Sequence, residues 1–277
     1  GSSHFGSRSG AGPKRPMFAG IEAIEGSEAS LTIIPDALPS SLAHLRPVAH
    51  IGYGAFAHVF EAHGPGDAKK YAVKVVQKAP LSDRGLLDQL AREVGVQREL
   101  SGHPNVVPVV DLAEDDTHTY LVLPLCAGGT VWQATHAFPE FVAPEPLAAR
   151  WLRDAASGLR YLHSRGVIHR DVKLENLLLD EKGQAMLCDF GWCAFEADRP
   201  SGVCGTRQLM APEVLADDLQ TAKMDVWAAG VCLVQMLTGS QIQGPEGARP
   251  PAGASAAARG LAEGLLQWDP QRRLDIE

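Results

Sequence analysis

The chain has 277 residues, 45% hydrophobic and 21% charged, an ordinary globular balance with enough apolar material for a sizeable core. With 33 acidic against 25 basic side chains, the formal net charge of −8 argues against nucleic acid as the main partner, since phosphate binding needs a basic surface. The five cysteines (Cys126, Cys188, Cys193, Cys204, Cys232) form no CxxC pair, so a disulfide framework or zinc site is not expected and a reducing, intracellular compartment is.

Residues 1–16, GSSHFGSRSGAGPKRP, hold almost nothing to bury and read as a disordered tail. Residues 17–45 form an N-terminal extension whose apolar run Leu31-Thr32-Ile33-Ile34 suggests an extra strand. Residues 48–60, with glycines at Gly52 and Gly54, suggest strand, tight turn, strand. Residues 70–77 read as another strand, 81–100 as a helix, and 106–112 and 120–125 as further strands. Beyond Gly128-Gly129 the pattern becomes helical over 143–164, 225–237 and 256–268, with short strands near 177–179 and 185–187. The longest apolar stretch, 226–237, is too short to cross a bilayer. The expected architecture is α+β and bilobal, a small β-rich lobe with one main helix followed by a larger, mostly helical lobe, with a ligand at the junction.

The chemistry-bearing residues fall in a definite order. Gly52-Tyr53-Gly54-Ala55-Phe56-Ala57 lies between two strand-like runs with no helix immediately after it, so a flap of backbone amides over phosphates fits better than a dinucleotide fingerprint. Lys74, flanked by Ala72, Val73, Val75 and Val76, must snorkel or find an anion, and Glu93 on the following helix could supply one. His169-Arg170-Asp171-Val172-Lys173-Leu174-Glu175-Asn176 combines a carboxylate able to take a hydroxyl proton (Asp171), a cation able to neutralise a moving phosphoryl (Lys173) and an oxygen ligand for magnesium (Asn176). Asp189-Phe190-Gly191 brings a second oxygen ligand, Asp189, and Ala211-Pro212-Glu213 closes the segment.

In order and spacing, these elements resemble the eukaryotic protein kinase superfamily over about residues 46–277, serine/threonine type, with Aurora-like and calcium/calmodulin-kinase-like groups nearest. The finer resemblance rests on Arg92-Glu93-Val94…His103-Pro104-Asn105-Val106, Lys173-Leu174-Glu175-Asn176-Leu177-Leu178-Leu179, Asp189-Phe190-Gly191-Trp192 and Cys204-Gly205-Thr206. It implies an N-lobe at 46–123, a hinge at 124–127 and a C-lobe from 128 to 277, with ATP and Mg2+ as cofactors and proteins bearing Ser or Thr as substrates. Catalysis would fall to Lys74, Glu93, Asp171, Lys173, Asn176 and Asp189, and metal binding to Asn176 and Asp189. The nucleotide would lie among Ile51, Gly52, Gly54, Val59, Ala72, Lys74, Leu123, Pro124, Cys126 and Leu178, with Leu123 as gatekeeper and the Cys126 N–H as hinge donor. Gln97, His169 and Phe190 would join a stacked spine, Glu213 and Arg273 would pair, and Asp225 would anchor the catalytic loop.

The sequence departs from the family at Ala57, where a third glycine is usual, and in the stretch 239–273, which is about a dozen residues shorter than typical and rich in Gly, Pro and Ala. A pseudokinase scaffold and a small-molecule kinase are the competing readings. Substrate choice is expected to be weakly basophilic, because Glu175 is acidic whereas Thr130 and Gln235, at comparable positions, are not. Cys188, beside Asp189, is a buried structural thiol or one reachable from the adenine site. Arg170 beside Asp171 usually accompanies a phosphorylated activation segment, yet the phosphate position falls on Gly202, one residue after Ser201. Independence of phosphorylation is therefore expected, with Glu196 or Asp198 as a standing partner for Arg170.

Overall fold

The computed structural model describes residues 38–54, 56–67, 69–249 and 252–276. The expected tail at 1–16, the run Leu31–Ile34 and most of the N-terminal extension lie outside them.

The first lobe is a five-stranded antiparallel sheet of β1 (Arg46–Tyr53), β2 (Ala57–His63), β3 (Lys70–Gln77), β4 (Asp111–Glu114) and β5 (His118–Pro124), ordered β1-β2-β3-β5-β4. Side chains alternate across a strand, and residues opposite one another share a face. The register Val59↔Lys74↔Leu121 and Ala72↔Leu123 therefore collects Val59, Ala72, Val76, Leu121 and Leu123 on one face, where they form a buried cluster. Phe60, Val73, Val75, Tyr120 and Val122 take the opposite face, under Leu42 and Leu45.

The helix expected over 81–100 is two helices, α1 (Ala79–Ser82) and α2 (Leu87–Glu99). The break falls where Gly85 adopts φ +67, a conformation that costs a glycine little and ends an α-helix. The strand expected over 106–112 is reduced to a single bridge at Val106 and to β4, because Pro108 has no N–H to give a ladder.

The second lobe is built on α4 (Glu145–Ser164) and α6 (Lys223–Thr238), after the short α3 (Val131–His136). In α4, Ala148, Trp151, Leu152, Ala155, Leu159 and Leu162 recur at helical spacing and form the buried stripe. Almost every residue of α6 is buried, so this helix is the centre of the lobe. Two small sheets, β6 (Val167–Ile168) with β9 (Ala194–Phe195) and β7 (Leu177–Leu179) with β8 (Ala185–Leu187), present the loops that face the first lobe. After the short α5 (Pro212–Leu215) and α6, the described residues between 239 and 255 form only a single 3-10 turn, Pro245–Gly247. The last helix, α7 (Ala256–Leu265), stops before the expected 268, short of Pro270, which disfavours helix at the residue before it.

Candidate active site

Lys74 points from β3 into the cleft between the lobes, its Nζ 2.5 Å from Glu93 Oε1 on α2 and 3.5 Å from Asp189 Oδ1. Burial disfavours the ammonium, but the Glu93 and Asp189 carboxylates outweigh it and hold the Lys74 pKa above that of an ordinary lysine. Gln89 Nε2 donates to the Gly191 carbonyl, tying α2 to the turn that carries Asp189. Nothing in the local sequence marks this link, because its partners are far apart in the chain.

The loop after β6 places Asp171 and its neighbours. Asp225, fully buried in α6, accepts hydrogen bonds from the backbone N–H groups of His169 and Arg170, both at 2.9 Å, and pairs with His163 Nε2 at 2.8 Å. Asp171 Oδ1 accepts from the Thr206 N–H at 3.0 Å and the Thr206 hydroxyl at 2.9 Å. Its Oδ2 pairs with Lys173 Nζ at 2.8 Å and accepts from Asn176 Nδ2 at 2.9 Å. Lys173 also donates to the Thr206 hydroxyl at 3.0 Å. Arg170 and Asp189 adopt φ of +67 and +62, a strained conformation for non-glycine residues that surrounding bonds must maintain. Gly205, at φ +86, passes so close to the Arg170 carbonyl that a Cβ would collide with it. His169 and Phe190 contact one another at 5.3 Å between ring centroids, and both are fully buried.

Three oxygens in this cleft are buried without a hydrogen-bond partner among the described residues, namely Asn176 Oδ1 and both carboxylate oxygens of Asp189. Leaving such atoms unsatisfied is costly, and hard oxygen donors suit Mg2+. Burial works to raise the Asp189 pKa, but Lys74, Lys173 and His169 pull it below the usual carboxylate value, so the group is an anion. Asn176 and Asp189 thus fit a metal that takes its other ligands from phosphate and water.

On the far side of Lys74, Val59, Ala72, Leu123, Cys126 and Leu178 lie in one apolar cluster with the half-buried Ile51 against it. Gly52 pairs opposite Val59, Tyr53 opposite His58 ends the β1 pairing, and the Gly54 N–H bonds the Ala57 carbonyl at 2.7 Å to close the turn. Pro124 is the last residue of β5. Of the expected nucleotide residues, Ile51, Val59, Ala72, Leu123, Cys126 and Leu178 thus share one apolar cluster, while Gly52, Gly54 and Pro124 lie at the strand ends beside it.

Several expectations change. Cys188 is fully buried, and its Sγ donates to the Asn176 carbonyl at 3.3 Å. Burial and the neighbouring Asp189 hold its pKa well above that of a free thiol, so almost no thiolate exists near neutrality. The sharper reading of a reachable nucleophile gives way to a structural thiol. Mass spectrometry after treatment with an ATP-site electrophile at neutral pH should find Cys188 unmodified, and a stoichiometric adduct would contradict this. Thr130 is the buried N-cap of α3, joined reciprocally to Gln133, which explains its lack of charge locally. Neither Glu196 nor Asp198 bonds Arg170 among the described residues, and Glu196 accepts from the Ala222 N–H instead. Arg170 Nε donates to Gln220 Oε1 at 2.8 Å, a residue the sequence did not single out.

A family model described as "Protein kinase domain" matches residues 45–277. Serine/threonine-protein kinase N3 of Mus musculus is 35% identical over 206 residues, 73% of this chain and 23% of that protein. Putative CBL-interacting protein kinase 27 of Oryza sativa subsp. japonica is 38% identical over 198 residues, 69% of this chain and 48% of that protein. Aurora kinase A-A of Xenopus laevis is 31% identical over 241 residues, 82% of this chain and 58% of that protein. The chain therefore spans less than two thirds of the length of each of these relatives.

Proposed function

The chain belongs to the protein kinase domain family, and from that premise we propose that it transfers the γ-phosphoryl of ATP to serine and threonine hydroxyls of proteins. The observation that carries this reading is the joint placement, at the lobe junction, of a paired buried lysine, a carboxylate held for a hydroxyl proton, and three unsatisfied oxygens.

Each residue then has a role. Lys74, steadied by Glu93, orients the phosphates of the nucleotide. Asp171 accepts the proton of the substrate hydroxyl as that oxygen forms its bond to the γ-phosphorus. The bond from that phosphorus to the bridging oxygen of ADP breaks, and ADP leaves with the electron pair. Lys173, beside Asp171, neutralises charge on the phosphoryl in transit. Asn176 and Asp189 would hold Mg2+, which when bound supplies charge compensation at the phosphates. Thr206, bonded to both Asp171 and Lys173, forms the ledge on which the acceptor peptide lies.

The lysine two positions after Asp171 resembles the serine/threonine form of this loop, and the name of the similar serine/threonine-protein kinase N3 agrees with that class. No feature of the described residues favours the pseudokinase reading. Protein substrates, an intracellular location and Mg-ATP dependence all follow from the same proposal. The five cysteines are unpaired thiols, in keeping with a reducing compartment. Among the described residues no helix is long and apolar enough to cross a membrane.

The test is a degenerate peptide array incubated with the chain and Mg-ATP. Phosphate should appear on Ser- and Thr-centred peptides and not on Tyr-centred ones, with only a mild preference for upstream arginine. Nucleotide binding without any incorporation would support the pseudokinase reading instead.

A further inference from the structure

Between β9 and Thr206 the chain forms only one 3-10 turn, Glu196–Asp198, yet beyond it residues 200–202 are fastened by four hydrogen bonds. The Gln220 N–H donates to the Pro200 carbonyl at 3.4 Å, and Arg170 Nη2 to the Ser201 carbonyl at 3.3 Å. Gln220 Nε2 donates to the Gly202 carbonyl at 2.6 Å, and the Gly202 N–H donates to Asp217 Oδ1 at 3.1 Å. Gln220 is 0% exposed and uses both ends of its amide, with Oε1 accepting from Arg170 Nε. One neutral side chain thus joins the residue before Asp171 to the activation segment four residues before Thr206.

The half-buried Arg170 guanidinium needs acceptors, and among the described residues it bonds no carboxylate, Glu196 accepting from the Ala222 N–H and Arg170 donating to Gln220 and Ser201 rather than to Glu196 or Asp198. The segment carbonyl needs a donor in the same place. A carboxylate or a phosphate would satisfy the arginine but could not donate to the Gly202 carbonyl, whereas an amide does both. Gly202 sits at φ +83, which lets its carbonyl and N–H reach Gln220 and Asp217 together.

We propose that Gln220 is the positioning residue of the activation segment, bridging Arg170 to the Gly202 carbonyl so that Thr206 is held on Asp171 without a loop phosphate. The proposal rests on the kinase reading for its kinetic consequences, but its structural part stands apart from it. Gln220 touches no substrate; it acts through Arg170 and the segment.

The experiment compares phosphatase-treated full-length chain with Gln220→Leu and Gln220→Glu, by peptide kinetics and by amide hydrogen exchange. Phosphatase treatment should leave wild-type peptide kcat/KM within about twofold, while Gln220→Leu raises peptide KM by roughly tenfold or more with little change in ATP KM, the scale of a lost hydrogen bond to a charged group. Amides of 200–206 should exchange faster while those of α6 do not. A general loss of structure would instead speed exchange throughout, and for that case Gln220→Glu, which keeps an acceptor for Arg170 but loses the donor to Gly202, should loosen the same segment selectively. Wild-type exchange at 200–206 in both variants, or loss of wild-type activity on phosphatase treatment, would overturn the proposal. If the wild-type chain transfers no phosphate to any peptide, the kinase reading fails, and the exchange of 200–206 still decides the role of Gln220.

Discussion

Replacing Asp189 with asparagine should lower phosphotransfer by on the order of a thousandfold or more while leaving the fold intact. Both carboxylate oxygens are buried without a hydrogen-bond partner among the described residues, and the ion pair of Oδ1 with Lys74 Nζ, 3.5 Å long, is one that Lys74 shares with Glu93. The Asp189 charge is enforced by Lys74, Lys173 and His169, which hold its pKa below the ordinary carboxylate value against the effect of burial. Asparagine keeps the shape and one oxygen but removes the negative charge that a metal requires. Lys74 retains Glu93 at 2.5 Å, so no lone buried cation is created. The melting temperature should therefore move by only a few degrees, given about 2–4 °C per kcal/mol for domains of this size. Steady-state kinetics with a thermal melt on the same preparation checks both halves, and wild-type turnover in the variant would remove Asp189 from the mechanism.

Arg273→Ala should be the most damaging change to stability, by about 3–5 kcal/mol, or roughly 6–20 °C in melting temperature. The guanidinium meets Glu213 through two bonds, 2.6 and 2.9 Å long, and also donates to the carbonyls of Lys223 and Gln267 at 2.7 and 3.0 Å. It lies over the Trp227 ring, 5.2 Å from its centroid. The pair is buried on both sides, so alanine would strand the Glu213 carboxylate in a low-dielectric core and free two carbonyls. An exposed pair makes the contrast. Arg46 and Asp67 are 2.7 Å apart, but more than half of each side chain faces solvent, and Arg46→Ala should leave the melting curve where it was. A comparison of the two variants by calorimetry is decisive, since equal losses would mean that burial does not govern these ion pairs.

What the sequence made legible depended on how far apart the interacting residues lie. His169 to Asn176 are contiguous, and their residue types alone suggested a hydroxyl base, a cation and a metal ligand. Lys74 declared itself by being a cation in an apolar strand, and its β3 register follows from simple alternation. The broken helix at 83–86 and the lost strand near Pro108 were written in Gly85 and Pro108, small signals that periodicity averages away. Gln220 was invisible because its partners, Arg170 and Gly202, are 50 and 18 residues distant, and a lone glutamine in a loop has no pattern. The same holds for His163 on Asp225 and Gln89 on Gly191, 62 and 102 residues apart. The expectation that Glu196 or Asp198 would serve Arg170 failed, for Glu196 by a related reason: charge complementarity can be read in a sequence, whereas the competing backbone N–H of Ala222 cannot.

The most direct measurement follows labelled γ-phosphate from Mg-ATP into the peptide array and identifies the acceptor residue by hydrolysis, with Asp171→Asn run beside the wild-type chain. Label on phosphoserine and phosphothreonine from the wild type, lost in Asp171→Asn and on chelation of the metal, is the predicted result. Label on phosphotyrosine, or equal transfer by the two proteins, or none from the wild type while nucleotide still binds, would contradict it.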